Sequence, residues 1–364
     1  MPSVTPTPGV GQLVADVADV VIGVDTHRDT NVLAAVTTLG RLLATTSFPT
    51  TGAGIAAAMA WAATTGTVTG WAIEGTGSYG AGLARTLLAA GHRVVEVTQP
   101  NRGVRRRRGG KTDTIDAEAA ARSFLADYAT ATPKTGDGLV ETIRITRAAR
   151  VSAVKARTAA INELKAVLVT APPSLRDTLR GLTTTALVKK CAGMRLTGDL
   201  AEAGTKRILR SLAHRIHHLT TEADTLQQTL TELTEQANPQ LTAAFGVGPD
   251  TAAALLIAAG DNPERIHTEA GFAALCGTSP IPASSGQTDR MRLNRNGDRQ
   301  ANAALHRIVL VRLAHDPETK AYMAAHLNPN GSNKLHVMRM LKRYVARRLF
   351  PLINPNSKRT QTAA

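Results

Sequence analysis

Two cysteines, Cys191 and Cys276, are all that the 364 residues contain. They lie far apart in apolar contexts, which excludes a secreted disulfide scaffold and fits reduced thiols in the cytoplasm. Long apolar runs are missing as well: nothing approaches the roughly 18 uncharged residues of a membrane span. The start, MPSVTPTPGVGQLVADVADVV, has neither a cationic n-region nor an apolar h-region, so secretion is not expected. Aromatic residues are scarce, with 2 Trp, 4 Tyr and 5 Phe. A protein that reads single strands by stacking bases on aromatic platforms carries more, so backbone and groove contacts are the expected mode. Acid is in short supply too: 28 Asp+Glu stand against 43 Lys+Arg.

What is present is a net charge of +15, and 32 of the cationic residues are arginine. Such an excess calls for an acidic partner, nucleic acid before membrane headgroups, and guanidinium favours bidentate contact with phosphate and base edges. With 43% hydrophobic residues the chain can bury real cores, and its length allows two or three domains.

Short β-rich runs open the chain at 20–24 (VVIGV), 31–36 (NVLAAV) and 41–47 (RLLATTS). A helix is expected over 54–63, a strand over 68–73, a helix over 79–90 and a strand over 92–97. Three strands, helix, strand, helix, strand is the order of an RNase H-like α/β sheet. A helix carrying AEAAARSFLADY follows, and then ATATPKTGDG (129–138) has linker composition. Helical stretches over 139–169 and 206–235 carry apolar stripes, and Pro172 and Pro173 stop the first. Joined by an irregular segment, they predict an antiparallel α-helical hairpin or coiled coil. FGVGPDTAAALL (245–256) resembles a helix-hairpin-helix element, whose turn amides bind phosphate. A Gly/Ser/Pro loop (277–286), a basic stretch to Arg299, a helix over 302–314 and a basic C-terminal helix complete the chain, and no acid follows Glu318.

Asp25 follows the first strand and Glu74 ends the fourth. Asp113 and Asp116, three residues apart at a helix start, share one helical face. Four carboxylates converging in a basic protein are the arrangement that holds two Mg²⁺ or Mn²⁺ ions for phosphodiester chemistry. Asp29 and Glu118 are the nearest substitutes, the first at a turn and the second off the Asp113/Asp116 face. His27 reads either as a donor supporting Asp25 or as a solvated loop histidine. His214, His217 and His218 are surface residues of a charged helix, and Met338 and Met340 are packing residues. Six cations between Asn101 and Lys111, namely Arg102, Arg105, Arg106, Arg107, Arg108 and Lys111, with no acid among the residues from 101 to 111, point to phosphate contact. The same holds for Arg290, Arg292, Arg295 and Arg299, and for Arg339, Lys342, Arg343, Arg347 and Arg348 of the C-terminal helix.

GVDTHRDTNVLAAV, EGTGSYG, VRRRRGGKTDTIDAEAAA, GVGPDTAAALL and FAALCGTSPIPASSGQTDRMRLNRNGDRQANAAL, in that order, resemble the signatures of the DEDD insertion-sequence transposases. That family includes the Piv DNA invertases and the bridge-RNA-guided recombinases, and the match runs from about Val21 to Arg312. The resemblance implies a RuvC-like domain with Asp25, Glu74, Asp113 and Asp116 as its tetrad, and a mainly α-helical C-terminal transposase domain with a nucleophilic serine. The family pattern selects Ser285 in PASSGQ, with Ser284 as the alternative. Independently, a hydroxyl beside Gly286, followed by arginines, sits in phosphate-binding surroundings. The division that follows is a flexible start (1–18), a RuvC-like domain (19–128), a linker (129–138), a hairpin (139–238), a transposase domain (239–350) and a basic tail (351–364).

The implied activity is DNA transposition or site-specific recombination through a serine-linked intermediate in a site of two-metal type, on donor and target DNA chosen by a structured guide RNA. Carboxylates and serine about 170 residues apart imply a composite site, hence a homodimer or homotetramer in the cytoplasm, at the nucleoid. Two rival readings are a RuvC-like nuclease that uses water and a non-catalytic nucleic-acid-binding derivative.

Overall fold

Strand alternation sets the layout of the first part of the chain. In β1 (Asp19–Thr26), Val20, Ile22 and Val24 turn to one side and Val21, Gly23 and Asp25 to the other. The computed structural model describes residues 18–97, 112–128, 131–284, 291–327 and 334–355, and it divides into two units between Gly136 and Asp137. In the first unit β2 (Thr30–Thr37) and β3 (Leu42–Pro49) continue from β1 as antiparallel neighbours. β4 (Thr67–Glu74) and β5 (Val94–Val97) add to its other edge in parallel, so the five-stranded sheet is mixed, in the order β3-β2-β1-β4-β5.

Helices cover both faces. α1 (Gly52–Thr65) and α2 (Ala81–Ala89) bury Ile55, Ala58, Leu83 and Leu87 against Ile22, Leu33, Trp71 and Ile73. α3 (Asp113–Leu125) covers the opposite face with Ala117, Ala120 and Ala121, packed on Val21, Val32, Val36 and Ala72. These alanines recur at three- and four-residue steps, and they let the helix axis come close to the sheet. Gly23 completes the fit: a Cβ there would lie 2.0 Å from the Ala117 carbonyl oxygen and 2.6 Å from the Ala121 nitrogen. The strands and helices fall where the sequence places them, with ends displaced by a few residues. The stretch of linker composition is partly anchored, since Glu96 N–H donates to Ala131 O at 2.8 Å and Arg85 Nη1 to Gly136 O at 2.8 Å.

The second unit is mostly helical. α4 (Leu139–Val169) and α7 (Leu200–Ala237) form an antiparallel hairpin. Ala160 and Leu164 share a core with Leu209, Ala213 and Ile216, while Ile143, near the other end of α4, lies in the same core as Leu230. The connection is not irregular. It holds α5 (Pro173–Leu179) and α6 (Thr184–Ala192), because Pro173 takes the first helical position and the Thr183 hydroxyl caps the Ala186 N–H. α7 also begins earlier than its apolar stripe, because Asp199 Oδ1 accepts from Glu202 N at 2.8 Å. His214, His217 and His218 are exposed along it.

Beyond the hairpin come α8 (Pro239–Thr242), α9 (Pro249–Ala259), α10 (Glu269–Leu275), the short strands β6 (Ile281–Pro282) and β7 (Met291–Arg292), α11 (Arg299–His315), α12 (Pro317–His326) and α13 (Lys334–Ile353). α9 is nearly enclosed, and Leu255, Phe272, Leu305, Val309, Val345 and Phe350 build the core around it. Met338 belongs to that core, and Met340 is half-buried. Among the described residues no helix is long and apolar enough to cross a membrane.

Candidate active site

Asp25 is on the α3 side of the sheet because it follows Gly23 by one full period of the strand. Glu74 is brought beside it by pairing: Val24 faces Ile73 in the parallel β1–β4 register, so the next positions are Asp25 and Glu74. The Thr26 hydroxyl fastens the two strand ends, donating to Glu74 O at 2.8 Å. α3 starts over this edge. Thr112 is its N-cap, and Asp113 and Asp116 stand in its first turn, where the helix dipole favours carboxylates. Asp113 shares the stripe of Ala117, Ala120 and Ala121, so the contact permitted by Gly23 carries its carboxylate to the sheet edge.

The result is a cluster of Asp25, His27 and Asp113, whose donor atoms all lie within 4.8 Å of one another. His27 Nε2 is 3.4 Å from Asp25 Oδ2 and 3.3 Å from Asp113 Oδ2. Asp25 is buried, whereas Asp113 and His27 are open to solvent on one side. Two of the four expected carboxylates are thus brought together with the histidine. Glu74 and Asp116 are not members of that group: the first ends the neighbouring strand, and the second is buried one turn along α3. His27 is the residue that sequence reasoning weighed too lightly. Its signal was the strand period, which sets residues 23, 25 and 27 on one face. Asp29 instead pairs with Arg28, and Glu118 with Arg122, the latter at 2.6 Å.

The donor set suits a divalent cation. His27 Nε2 is buried and makes no hydrogen bond among the described residues, although it faces two carboxylate oxygens. Two carboxylate oxygens and one imidazole nitrogen give a mixed oxygen and nitrogen donor set.

In the second unit Ser285 and Arg290, like Arg105, Arg106, Arg107, Arg108 and Lys111 in the first, lie outside the described residues. The loop that carries Ser284 and Ser285 has a well-defined neck. Gly277 (φ +64°) and Gly297 touch backbone to backbone: a Cβ on Gly297 would meet Gly277 N at 2.2 Å. Asp298 N–H donates to Leu275 O at 2.6 Å, and Asn302 Nδ2 donates to Cys276 O at 2.8 Å and Gly277 O at 3.2 Å. Asn302 Oδ1 in turn accepts from Lys342 Nζ at 2.9 Å.

A cleft of about 600 Å³ opens beside this neck, and Arg295, Arg299, His306, Arg339 and Lys342 line it with no acidic residue among the described residues. Burial, and then the charge of Arg339, push Lys342 below the usual lysine range. Arg292 and Arg347 are exposed. Arg343 and Arg348 are engaged internally, Arg343 with Glu269, and Arg348 with Glu318 at 3.2 Å and over the Tyr344 ring at 4.8 Å. The turn that resembles a helix-hairpin-helix element has one of its amides occupied within the chain. Gly248 N–H donates to Thr251 Oγ1 at 2.9 Å, and Asp250 occupies the first turn of α9.

A mixed sheet bearing a carboxylate–imidazole cluster, followed by a helical unit with a cationic cleft, is the setting in which comparison with known families becomes informative. Residues 22–173 match a DEDD family model described as "Transposase", and residues 238–324 match the model described as "Transposase IS116/IS110/IS902 family". The chain belongs to the IS110 family of transposases, enzymes that cut and rejoin DNA. No curated protein matches it.

Proposed function

We propose that this chain is the recombinase of a mobile insertion sequence and that its first unit is an RNase H-like, RuvC-like nuclease domain. The observation that carries the reading is the convergence of Asp25, His27 and Asp113 at the sheet edge of a transposase-family chain. The mixed order of the sheet, with three antiparallel strands and two parallel additions, supports the fold assignment.

Asp25 and Asp113 hold the divalent cations, Glu74 and Asp116 complete the tetrad, and His27 adds a nitrogen donor. When bound, the metal supplies charge neutralisation at the scissile phosphate and a more acidic attacking hydroxyl. Ser285 is the nucleophile, with Ser284 the neighbouring candidate. Its Oγ bonds to phosphorus as the bond to one deoxyribose oxygen breaks; the serine proton passes to solvent, and the departing sugar takes up a proton as its hydroxyl. The ester retains the energy of the broken bond, so attack by another sugar hydroxyl rejoins the strands without a high-energy cofactor. Arg295, Arg299, Arg339 and Lys342 neutralise DNA phosphates beside the loop neck. A structured guide RNA pairs with donor and target DNA, which leaves base recognition to pairing and backbone recognition to the arginines.

Denaturing electrophoresis of the protein with labelled DNA tests the chemistry. A covalent adduct is expected from the native chain and from Ser284→Ala, none from Ser285→Ala, and none from Asp25→Asn or Asp113→Asn, which still bind DNA. Adduct from Ser285→Ala equal to that of the native chain overturns the nucleophile assignment. Cleavage that survives loss of both serines without adduct identifies water as the nucleophile.

A further inference from the structure

Asp250, at the start of α9, gathers three arginines. Arg147 of α4 donates from Nε to Asp250 Oδ1 at 3.0 Å and reaches Gln300 Oε1 at 3.4 Å from Nη2. Arg307 of α11 places Nη1 2.8 Å from Oδ2, and Arg150 places Nη1 3.8 Å from Oδ1. One carboxylate therefore serves three guanidinium groups, which leaves two positive charges in excess. Arg147 is buried, so water does not offset the surplus on that side. The Nε of Arg150 is buried and lacks a hydrogen-bond partner among the described residues. On the other side the cluster opens to solvent through Arg307, whose side chain is half exposed.

A buried donor without an acceptor, beside a net charge of two, is the complement of an anion with several oxygens. α11 shows what kind. It contains no acidic residue; Gln300 and Arg307 lie on one side of its exposed arc, while Arg299 and His306 lie on the adjoining side and line the cleft beside the loop neck. The arginine cluster and the cleft are thus two stations on one cationic helix face, the arrangement that follows a polyanionic backbone.

We propose that Arg147, Arg150 and Arg307 hold a backbone phosphate of the DNA whose neighbouring segment enters the cleft. This rests on the reading above that the chain binds DNA in order to cut and rejoin it. These side chains stand beside the GVGPD turn, at the start of α9.

Fluorescence anisotropy of the full chain with a long mixed-sequence DNA duplex, titrated with KCl, is the test. Arg150→Gln and Arg307→Gln should each lower the slope of log affinity against log salt by about one and weaken binding. Arg307→Lys, which keeps the charge, should restore the slope. Native slopes in both glutamine variants, with native binding intact, overturn this inference alone. Loss confined to an RNA duplex of the same length also overturns it. If the native chain fails to bind duplex DNA at any salt concentration, both this inference and the DNA reading fall.

Discussion

Replacing Gly23 by valine places a branched side chain where the Ala117 carbonyl oxygen already lies, and neither the strand nor the helix backbone yields cheaply. Urea unfolding should show a loss of about 3 kcal/mol, the upper end of overpacking costs. Because α3 would be lifted from the sheet, Asp113 should leave Asp25, and Mn²⁺ affinity by titration calorimetry should fall with stability. His27→Ala separates the two effects: it removes a donor without touching the Gly23 contact. It should leave the unfolding midpoint in place while weakening the binding of a divalent cation, measured by titration calorimetry with Mn²⁺. Cys276 illustrates the opposite kind of residue. Burial, assisted by the charge of Asp298, pushes its thiol up to about 12, so the neutral form prevails at every pH the protein is used in. Alkylation followed by mass spectrometry should modify Cys276 only in denaturant.

At the scale of elements, the strands and the two long helices were legible because each has one clean period. Helix α4 buries Ala153, Ala160 and Leu164 at helical steps, and the strands alternate or run apolar. What escaped was set by single side chains in polar sequence: the Thr183 and Asp199 caps that begin α6 and α7 leave no trace in hydrophobic periodicity. Asp25 was legible as the acid that follows two apolar positions of β1 and Asp113 as the acid that starts α3, whereas the i, i+3 spacing on α3 did not separate Asp113 from Asp116, which lies outside the cluster. The share of His27 in the cluster depends on how closely α3 approaches, and that distance is written in Gly23 and three alanines, which read as ordinary small residues. Asn302 is another such element-level device, joining α11 to the loop neck and to Lys342 of α13. Asn302→Ala leaves the Cys276 carbonyl without its partner, at a cost of about 1–3 kcal/mol. Hydrogen exchange at Gly277 and Thr278 should accelerate while that of α9 remains slow.

For the whole molecule, the hydrophobic clusters respect the division between Gly136 and Asp137. The sheet core draws on residues before it, and the cores around Leu164 and Leu255 draw on residues after it. Two units whose cores share no members predict two unfolding steps. Calorimetry of Gly23→Val should therefore move one transition and leave the other at its native temperature. The +15 charge is likewise unevenly placed: some arginines are spent on internal pairs, such as Arg343 with Glu269, and others line the cleft or surround Asp250. Counting charge found the partner class, but only the fold separates the cations paired within the protein from those that line the cleft.

Where Gly277 and Gly297 meet, the chain leaves its helical frame and returns to it at almost the same point. Everything from 278 to 296 is consequently a cassette with a fixed entry and exit. Its length is cheap to vary, since doubling a flexible loop costs about 0.6 kcal/mol in closure entropy. Selection can thus rewrite the residues between these two glycines without disturbing the helical frame, and a graft cut at Gly277 and Gly297 exchanges the segment as one unit.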